Sequence, residues 1–480
     1  MSSKAAFKNI IKVSASNIIK LLSGVLVGFL LPKIIGVADY GYYKTFTLYA
    51  SYVGLFHFGL SDGIYLKYGG KNFDELNKEE FRMFSSSIII LESLVSFLTF
   101  LVTFFLLLGE VRFIFFCLAV FLFVNNITSY FQMISQITGR FDELSLRNVV
   151  QSLLTCLSLV FLWICHHFFD ARLSYKVYTV VHVSIMGFLF VWYLITYKDI
   201  VFGKRIKIWP SKKCLLGLIK IGLPLMVANL TSTLILTLDR QFVNILFDTS
   251  SYAVYAFAYN MLSLITTALI AISTVLYPLM KRKNQGELVK NYSLVLSCFL
   301  VFVFACLLAY FPLGVFVKWF LPKYVESLPV FRVILPGLAI QSAITIVMHN
   351  YYKTLNKNLE FFIKSLIVLV LSGIANYVAY ILFKTTIAIS VASIIIMSIW
   401  YLLIEEFFVR SFRVKWIKNL SYMVVMTTGF YLITMWQLWW ASMLVYFAAL
   451  VSVTYLFYFK DINRFLKGIF SKKSTAPVSN

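Results

Sequence analysis

The sequence has few charged residues for its length. Of its 480 residues, 13% are charged, whereas 60% are hydrophobic and 18% are aromatic. Soluble domains contain about 45–50% apolar and about 25% charged residues. A soluble globule of this composition could not cover its surface with solvated side chains. The shortage of charge therefore excludes a soluble protein, and the long apolar runs indicate a polytopic membrane protein.

Cysteine is also scarce and scattered. The six cysteines form no CxxC pair, so we expect neither a zinc site nor a disulfide framework. The sequence contains no P-loop, GxSxG or HExxH pattern, and no loop between the apolar runs is long enough to fold alone. We therefore expect no catalytic residues, no metal and no other cofactor. The protein is expected to act within the membrane.

Acidic residues are fewer than basic ones, 20 against 43, which gives a net charge of +23. Between the charges lie fourteen apolar segments that approach the roughly 20 residues a membrane-spanning helix needs. They lie near residues 14–36, 42–66, 84–108, 111–137, 148–169, 174–197, 215–238, 250–279, 292–317, 330–352, 361–383, 386–404, 419–436 and 438–459. Only a residue or two around Gln437 joins the last pair, so twelve or thirteen spans remain alternatives.

The basic residues predict the orientation of these spans. With the N-terminus inside, 31 of the 43 Lys and Arg residues fall in inner segments, and nine, Lys44 among them, fall in outer segments. This bias follows the positive-inside rule and predicts that both termini are cytoplasmic. The basic charge then faces anionic lipid head groups, so we expect no nucleic-acid partner.

The basic segment 198–213 separates two similar halves. A shift of 212 residues aligns Lys8 with Lys220, Asn17 with Asn229, Tyr40 with Tyr252 and Tyr43 with Tyr255. We predict an all-α polytopic membrane protein with an N-terminal six-helix lobe (1–197), a basic cytoplasmic linker (198–213) and a C-terminal six-helix lobe (214–404). Two extra helices and a basic cytoplasmic tail follow (405–480). Repeated lobes of this kind are typical of transporters.

Five segments resemble bacterial polysaccharide repeat-unit flippases, the family that serves O-antigen and capsule synthesis. They are "LLPKIIGVADYGYYKTFTLYA" (30–50), "FGLSDGIYLKYGG" (58–70), "FQMISQITGRFDELSLRNVVQSL" (131–153), "LTLDRQFVNILFDTSSYAVYAFAYN" (236–260) and "NYYKTLNKNLEFFIKSLIVLVLSGIANYVAYILF" (350–383). Their order and spacing resemble that family over spans one to twelve. The resemblance implies the multidrug/oligosaccharidyl-lipid/polysaccharide (MOP) exporter superfamily and a MATE-like fold, with two lobes around a central cavity.

The resemblance also implies a function. In this family a polyprenyl-diphosphate-linked oligosaccharide is moved from the inner to the outer leaflet of the bacterial cytoplasmic membrane by alternating access. The implied partners are that lipid-linked substrate, the bilayer and a polysaccharide polymerase. Two alternatives remain open. One is an ion-coupled multidrug or cation exporter of the same superfamily, whose cavity would prefer acidic residues, and the other is a membrane enzyme acting on the same lipid carrier.

Polar residues inside the spans are candidate substrate ligands. Insertion of a charged side chain at mid-membrane costs about 2.5–3.5 kcal/mol, so charged residues found there usually have a function. Lys20 is either a cavity cation that receives the lipid diphosphate or a lysine that snorkels to the inner head groups. Arg240 either faces the cavity or ties the lobes together at the outer rim. The neutral candidates, which suit sugar binding and ordinary helix packing alike, are Asn229, Gln132, Tyr255, Tyr259 and His349.

Three carboxylates are candidates for ion coupling. Glu92 lies on a helical face with serine and threonine side chains. That face lines either a water-filled cavity for a proton or sodium ion, or a hydrogen-bonded helix–helix seam. Asp239 and its neighbour Arg240 point about 100° apart on a helix, so each must find another partner. Asp62, in the "LSDG" turn, is either a coupling group or a loop carboxylate.

Overall fold

The structure is a computed structural model that describes residues 3–169, 173–204, 206–207, 211–281, 284–355, 357–414, 416–436 and 438–473. The predicted hairpin residue Gln437 and part of the predicted linker 198–213 lie outside these ranges. The described residues form helices, turns and short connections, with no strand among them.

The apolar runs of the sequence are helical. In the first half of the chain the helices are α1 (Ser3–Ile34), α2 (Val37–Ala50), α3 (Leu60–Tyr68), α4 (Lys78–Leu106), α5 (Gly109–Ile137), α6 (Phe141–Phe169), α7 (Tyr175–Thr196), α8 (Lys212–Leu246) and α9 (Thr249–Lys281). In the second half they are α10 (Gln285–Cys306), α11 (Tyr310–Phe320), α12 (Ser327–Ser342), α13 (His349–Thr354), α14 (Asn358–Phe383), α15 (Thr386–Phe412), α16 (Trp416–Ile433) and α17 (Trp439–Lys473).

Several helices begin where a polar side chain caps their free N–H groups. The Asn77 side chain accepts hydrogen bonds from the backbone of Glu79 and Glu80 at the start of α4. Ser174, Asn284 and Thr385 act in the same way on α7, α10 and α15. Such caps satisfy donors that have no partner within the helix, so the short polar connections fix where each apolar helix starts.

Eleven helical stretches within the described residues are long and apolar enough to cross a membrane. Helices overlap each of the fourteen predicted segments, but the count of fourteen spans stays a prediction. The predicted span 42–66 is wrong as one continuous helix. It consists of α2, a 3₁₀ turn over Val53–His57, and α3.

Contacts divide the chain into two compact units, Met1–Ala256 and Phe257–Asn480, and each is described here by itself. In the first unit α1 packs on α6, α4 and α7 pack on α5, and α3 packs on α8. In the second unit α15 packs on α12 and α14, and α17 packs on α10 and α16. The predicted lobes, with their boundary at 198–213, stay a prediction.

The two faces of α4 are those expected of a helix in lipid. On α4, the side chains of Ile90, Leu94 and Phe97 are exposed, whereas Glu92 and Thr103 are buried. A helix in lipid gains nothing by hiding apolar side chains, but it must satisfy its polar ones inside the protein. The polar face predicted around Glu92 therefore packs inward.

The first unit is tightest where α3 crosses α8. A Cβ atom added to Gly63 would lie 2.0 Å from the carbonyl oxygen of Leu218, and one added to Gly222 would lie 2.0 Å from the carbonyl oxygen of Gly59. Only glycine permits this approach of two backbones. The contact holds the 3₁₀ turn and the start of α3 against α8.

Candidate functional site

A cavity of about 210 Å³ lies inside the first unit, among α1, α2, α6 and α7. We call it the lysine cavity, because Lys20 of α1 and Lys44 of α2 both line it. Its other polar lining includes Tyr43, Gln151 and His182. The Tyr43 hydroxyl lies 3.1 Å from Nδ1 of His182, which joins α2 to α7 across the wall of the cavity.

The lysine cavity has the electrostatics of an anion site. Lys20 and Lys44 are both half-buried, and none of the described residues that line the cavity is acidic. Arg240 of α8 is close enough to Lys44 to interact with it electrostatically. Two ammonium groups at one cavity repel each other, and a bound anion would reduce this repulsion.

Lys44 is the cavity residue that the sequence did not single out. The charge count assigns it to an outer segment, at the edge of the predicted span 42–66. The structure instead places it within α2, whose helix begins at Val37. Its signal in the sequence is a lone lysine inside "YYKTFTLYA", one turn after Tyr40.

A second cavity, of about 190 Å³, lies beside the 3₁₀ turn and is called the break cavity. Asp62 and Asn229 both line it, together with His57, Tyr52 and Thr233. The sequence assigned Asp62 and Asn229 to different roles, ion coupling and substrate binding. The structure brings them to one cavity, because α3 and α8 approach so closely at their glycines.

The hydrogen bonds of His57 fix its tautomer. The backbone N–H of Gly59 donates to Nδ1 at 3.1 Å, so the proton of the neutral ring lies on Nε2. Nε2 faces Asp62 Oδ2 at 3.7 Å. Phe58 and Gly59 both have positive φ, 48° and 77°. Protonation of His57 at Nδ1 would therefore displace a backbone bond at the break in the helix.

Glu92 is fully buried on α4 and joins three elements. Its Oε2 accepts a hydrogen bond from Asn126 Nδ2 of α5 at 2.9 Å. The same nitrogen donates to the carbonyl of Val53, in the 3₁₀ turn, at 2.9 Å. Oε1 of Glu92 has no hydrogen-bond partner among the described residues. A carboxyl group with one open oxygen in this position can bind a proton or another cation.

Asp239 and Arg240 point to different partners, as neighbours on one helix do. The buried hydroxyl of Tyr255, on α9, donates to Asp239 Oδ2 at 2.8 Å. Arg240 Nη2 donates to the carbonyl of Leu236 at 2.7 Å. Tyr255 is thus placed with a predicted coupling residue, while this hydrogen bond of the Arg240 side chain stays within its own helix.

The remaining candidates are not brought into either cavity. Gln132 is half-buried on α5. Tyr259 lies in the second unit and lines a small cavity with Gln341 and Ser393. His349, also in the second unit, stacks on Phe361 with ring centroids 4.2 Å apart. Their roles in substrate binding stay predictions.

Glu405 is a buried carboxylate that the sequence did not select. The predicted span ends at residue 404, whereas α15 continues to Phe412. Glu405 is 1% exposed, Oε2 accepts a hydrogen bond from the Tyr292 hydroxyl, and Oε1 has no hydrogen-bond partner among the described residues. In the described part of the chain, no group of three or more His, Cys, Asp and Glu residues could hold a metal ion.

Comparison with known proteins identifies the fold and the family. Residues 6–283 match the family described as polysaccharide biosynthesis protein. No curated protein matches the chain in sequence.

Solved structures match over most of the chain. The lipid II flippase MurJ in an inward closed conformation is 14% identical, with a TM-score of 0.71 over 94% of this chain and 100% of that chain. An inward-facing MATE multidrug resistance transporter of the MOP superfamily is 14% identical, with a TM-score of 0.59 over 82% and 95%. A MATE transporter from Vibrio cholerae is 15% identical, with a TM-score of 0.55 over 84% and 97%.

Sequence identities of 14–15% are too low for the substrate of these proteins to be assigned to this chain. The similarity in fold nevertheless extends well beyond residues 6–283, which match the family. The family match, the similarity in fold and the apolar helices together confirm the resemblance seen in the sequence. The chain belongs to the polysaccharide biosynthesis protein family and is a multi-pass membrane protein with the fold of the MOP transporters.

Proposed function

We propose that the protein flips a polyprenyl-diphosphate-linked oligosaccharide from the inner to the outer leaflet of the bacterial cytoplasmic membrane, for cell-surface polysaccharide synthesis. The observation that carries this proposal is the lysine cavity in a member of a polysaccharide biosynthesis family. Alternating access of two lobes would expose the cavity first to one leaflet and then to the other.

The lysine cavity fits the charged part of such a substrate. A diphosphate must leave water to cross the membrane, and the loss of its hydration is costly unless positive groups replace it. Lys20 and Lys44 supply two ammonium groups at a cavity of about 210 Å³, which is large enough for a small anionic group but not for an oligosaccharide. Hydrogen bonds between charged partners are the stronger kind.

The lysine cavity argues against one alternative function, and the short outer loops argue against the other. An exporter of cationic drugs would place carboxylates where the cargo binds, whereas Lys20 and Lys44 would repel a cation. A membrane enzyme acting on the lipid carrier would need acid, base or arginine groups presented in a substantial outer loop. The longest predicted outer loop, 317–329, offers only Glu326.

Energy would come from an ion gradient. We propose Glu92 as the principal coupling residue, because it is the candidate whose open oxygen and hydrogen bonds are both defined by the structure. Asn126 connects it to the 3₁₀ turn, and the break cavity with Asp62 lies on the other side of that turn. Asp239, held by Tyr255, is a further candidate.

Substitution of the two lysines tests the proposed role of the cavity. Each ammonium–phosphate contact contributes about 1.5–3 kcal/mol, so its loss should weaken substrate binding about 10- to 150-fold. We expect Lys20→Ala and Lys44→Ala to cripple glycan export at a normal protein level, and Lys20→Arg to preserve most of it. Export is measured as surface polysaccharide in a strain that carries only the variant.

Lys207→Ala is the matched control, since Lys207 is an exposed residue of the predicted cytoplasmic linker. It removes the same charge from the protein without touching the cavity, and it should leave export unchanged. Normal export by a well-expressed Lys20→Ala, Lys44→Ala double variant would show that the lysines only snorkel or pack, and it would contradict the proposal.

A further inference from the structure

The second unit contains a cleft of about 730 Å³, larger than either cavity of the first unit. It lies between α11 and the connection from α16 to α17, and we call it the aromatic cleft. Its lining includes Trp319, Trp436 and Trp439, together with Lys318, Thr434 and Ser442. Ligand sites for small molecules are clefts of this size, in which aromatic side chains surround a few polar groups.

The three indoles present their rings to the surroundings. Trp319 is 77% exposed, Trp436 is 59% exposed and Trp439 is 46% exposed. Tryptophan at a span end is common, because the indole ring favours the membrane interface. The interfacial preference of the indole ring explains why a single tryptophan lies at a span end. It does not require three indoles from two distant parts of the chain to line one concave site.

Ser442 provides a second, independent observation. Its side chain lines the cleft and is 1% exposed, yet its hydroxyl has no hydrogen-bond partner among the described residues. The nearby Thr434 hydroxyl instead donates to the carbonyl of Phe430 at 2.7 Å, as helical hydroxyls commonly do. A buried hydroxyl without a partner costs free energy, and a polar ligand in the cleft would repay it.

We propose that the aromatic cleft binds a saccharide, namely the glycan part of the cargo, at the outer side of the membrane. This inference rests on the proposed function and on the predicted orientation, which places residues 317–329 and the α16–α17 connection outside. The lysine cavity is too small for an oligosaccharide, so the glycan must contact residues outside that cavity.

The aromatic and polar side chains of the cleft match the two kinds of surface that a sugar presents. A pyranose ring has apolar C–H faces that stack on indole rings, and hydroxyl edges that bond to polar groups. The Ser442 hydroxyl can donate to, or accept from, a sugar hydroxyl. The Lys318 ammonium can donate to a sugar oxygen, and it would favour an acidic sugar most strongly. A polyprenyl or acyl chain would contact the indoles but would leave the buried Ser442 hydroxyl without a hydrogen-bond partner.

The experiment measures saccharide binding to the full-length protein in detergent. The probe is the repeat-unit oligosaccharide that mild acid releases from the host's own lipid carrier, so it carries neither diphosphate nor lipid. Quenching or enhancement of tryptophan fluorescence should saturate with this probe. Trp319→Ala and Trp436→Ala should each weaken binding about tenfold or more, since aromatic anchors dominate such sites. Ser442→Ala should weaken it less.

Two controls make the result decisive. Trp163→Ala removes a half-exposed indole of the first unit, so it should leave the affinity unchanged. Trp319→Phe keeps an aromatic face in the cleft and should retain most of the affinity, provided that size-exclusion chromatography shows a folded protein. The Lys20→Ala, Lys44→Ala double variant should bind the probe normally, because the probe has no phosphate.

Absence of saturable binding, or binding that survives Trp319→Ala and Trp436→Ala together, would overturn the inference. So would displacement of the oligosaccharide by the sugar-free polyprenol, because the cleft would then hold a lipid chain. A negative result here would not change the glycan export measured with the lysine variants, so the two failures are distinguishable. Conversely, saccharide binding without any flipping would contradict the proposed function while supporting the cleft.

Discussion

Glu92 and Glu405 share an unusual chemistry for buried carboxylates. Each accepts a hydrogen bond from a neutral partner, the Asn126 amide or the Tyr292 hydroxyl, through one oxygen. Each has a second oxygen without a hydrogen-bond partner among the described residues. In a membrane protein such groups are expensive to bury and are retained where they bind ions or protons.

At this scale, substitution of Glu92 tests the coupling proposal. Glu92→Gln keeps the side-chain shape and an oxygen that can accept the Asn126 hydrogen bond, but it removes the exchangeable proton and the charge. We expect the variant to fold and to lose the stimulation of transport by an imposed proton or sodium gradient. Transport is measured in vesicles with and without each gradient.

Glu79→Gln is the control on the same helix, since Glu79 is exposed in the first turn of α4. It should respond to the gradients as the unaltered protein does. A Glu92→Gln variant that keeps full gradient stimulation would assign Glu92 to a hydrogen-bonded seam between α4 and α5, and coupling would have to pass through Asp62, Asp239 or another group.

At the scale of elements, the contact of α3 with α8 determines the geometry of the break cavity. Both backbones come together at Gly63 and Gly222, and the 3₁₀ turn with His57 is held beside them. Small residues allow membrane helices to pack closely, and close packing replaces the hydrophobic effect that is weak in lipid. The break in the second span is therefore supported by packing rather than by local sequence alone.

Gly63→Ala tests this packing. The new Cβ would lie 2.0 Å from the carbonyl oxygen of Leu218, so α3 and α8 must separate. Overpacking of this kind costs about 1–3 kcal/mol in the free energy of unfolding. We expect a lower melting temperature of the purified protein in detergent, measured by circular dichroism, together with reduced transport.

Gly217→Ala provides the comparison on α8. A Cβ at this position would have no atom within 4 Å. Alanine also favours a helix by about 1 kcal/mol relative to glycine in an exposed helix interior. The melting temperature of the Gly217→Ala variant should therefore be equal to or higher than that of the unaltered protein. Equal melting temperatures for both variants would show that the contact between α3 and α8 is loose.

For the whole molecule, topology is the feature that the charges predict most directly. The charge bias of the connecting segments predicts that a reporter fused after residue 205 and one at the C-terminus are cytoplasmic, and that one at residue 324 is outside. The measurement uses a pair of reporters, one active only inside and one active only outside. An external signal at residue 205 would contradict the two-lobe arrangement and the location of the aromatic cleft.

The sequence predicts the helices well because apolar length is enough to specify a spanning helix in lipid. It does not predict the break at residues 51–59, where Gly59 has a positive φ and its backbone lies against Gly222 and Leu223 of the distant helix α8. It selects Lys20 but not Lys44, because Lys44 comes to line the same cavity only when α1, α2, α6 and α7 pack together. Sites formed by several helices depend on packing that no single segment encodes.

The central claim is that the protein itself moves a lipid-linked oligosaccharide across the bilayer. The most direct measurement reconstitutes the purified protein into liposomes that contain this lipid in both leaflets, and follows its accessibility to a membrane-impermeant glycosidase. We predict that the enzyme digests about half of the lipid in protein-free liposomes and nearly all of it when the protein is present, with slow digestion for the Lys20→Ala, Lys44→Ala double variant. The same half-digestion with and without folded protein would contradict the account.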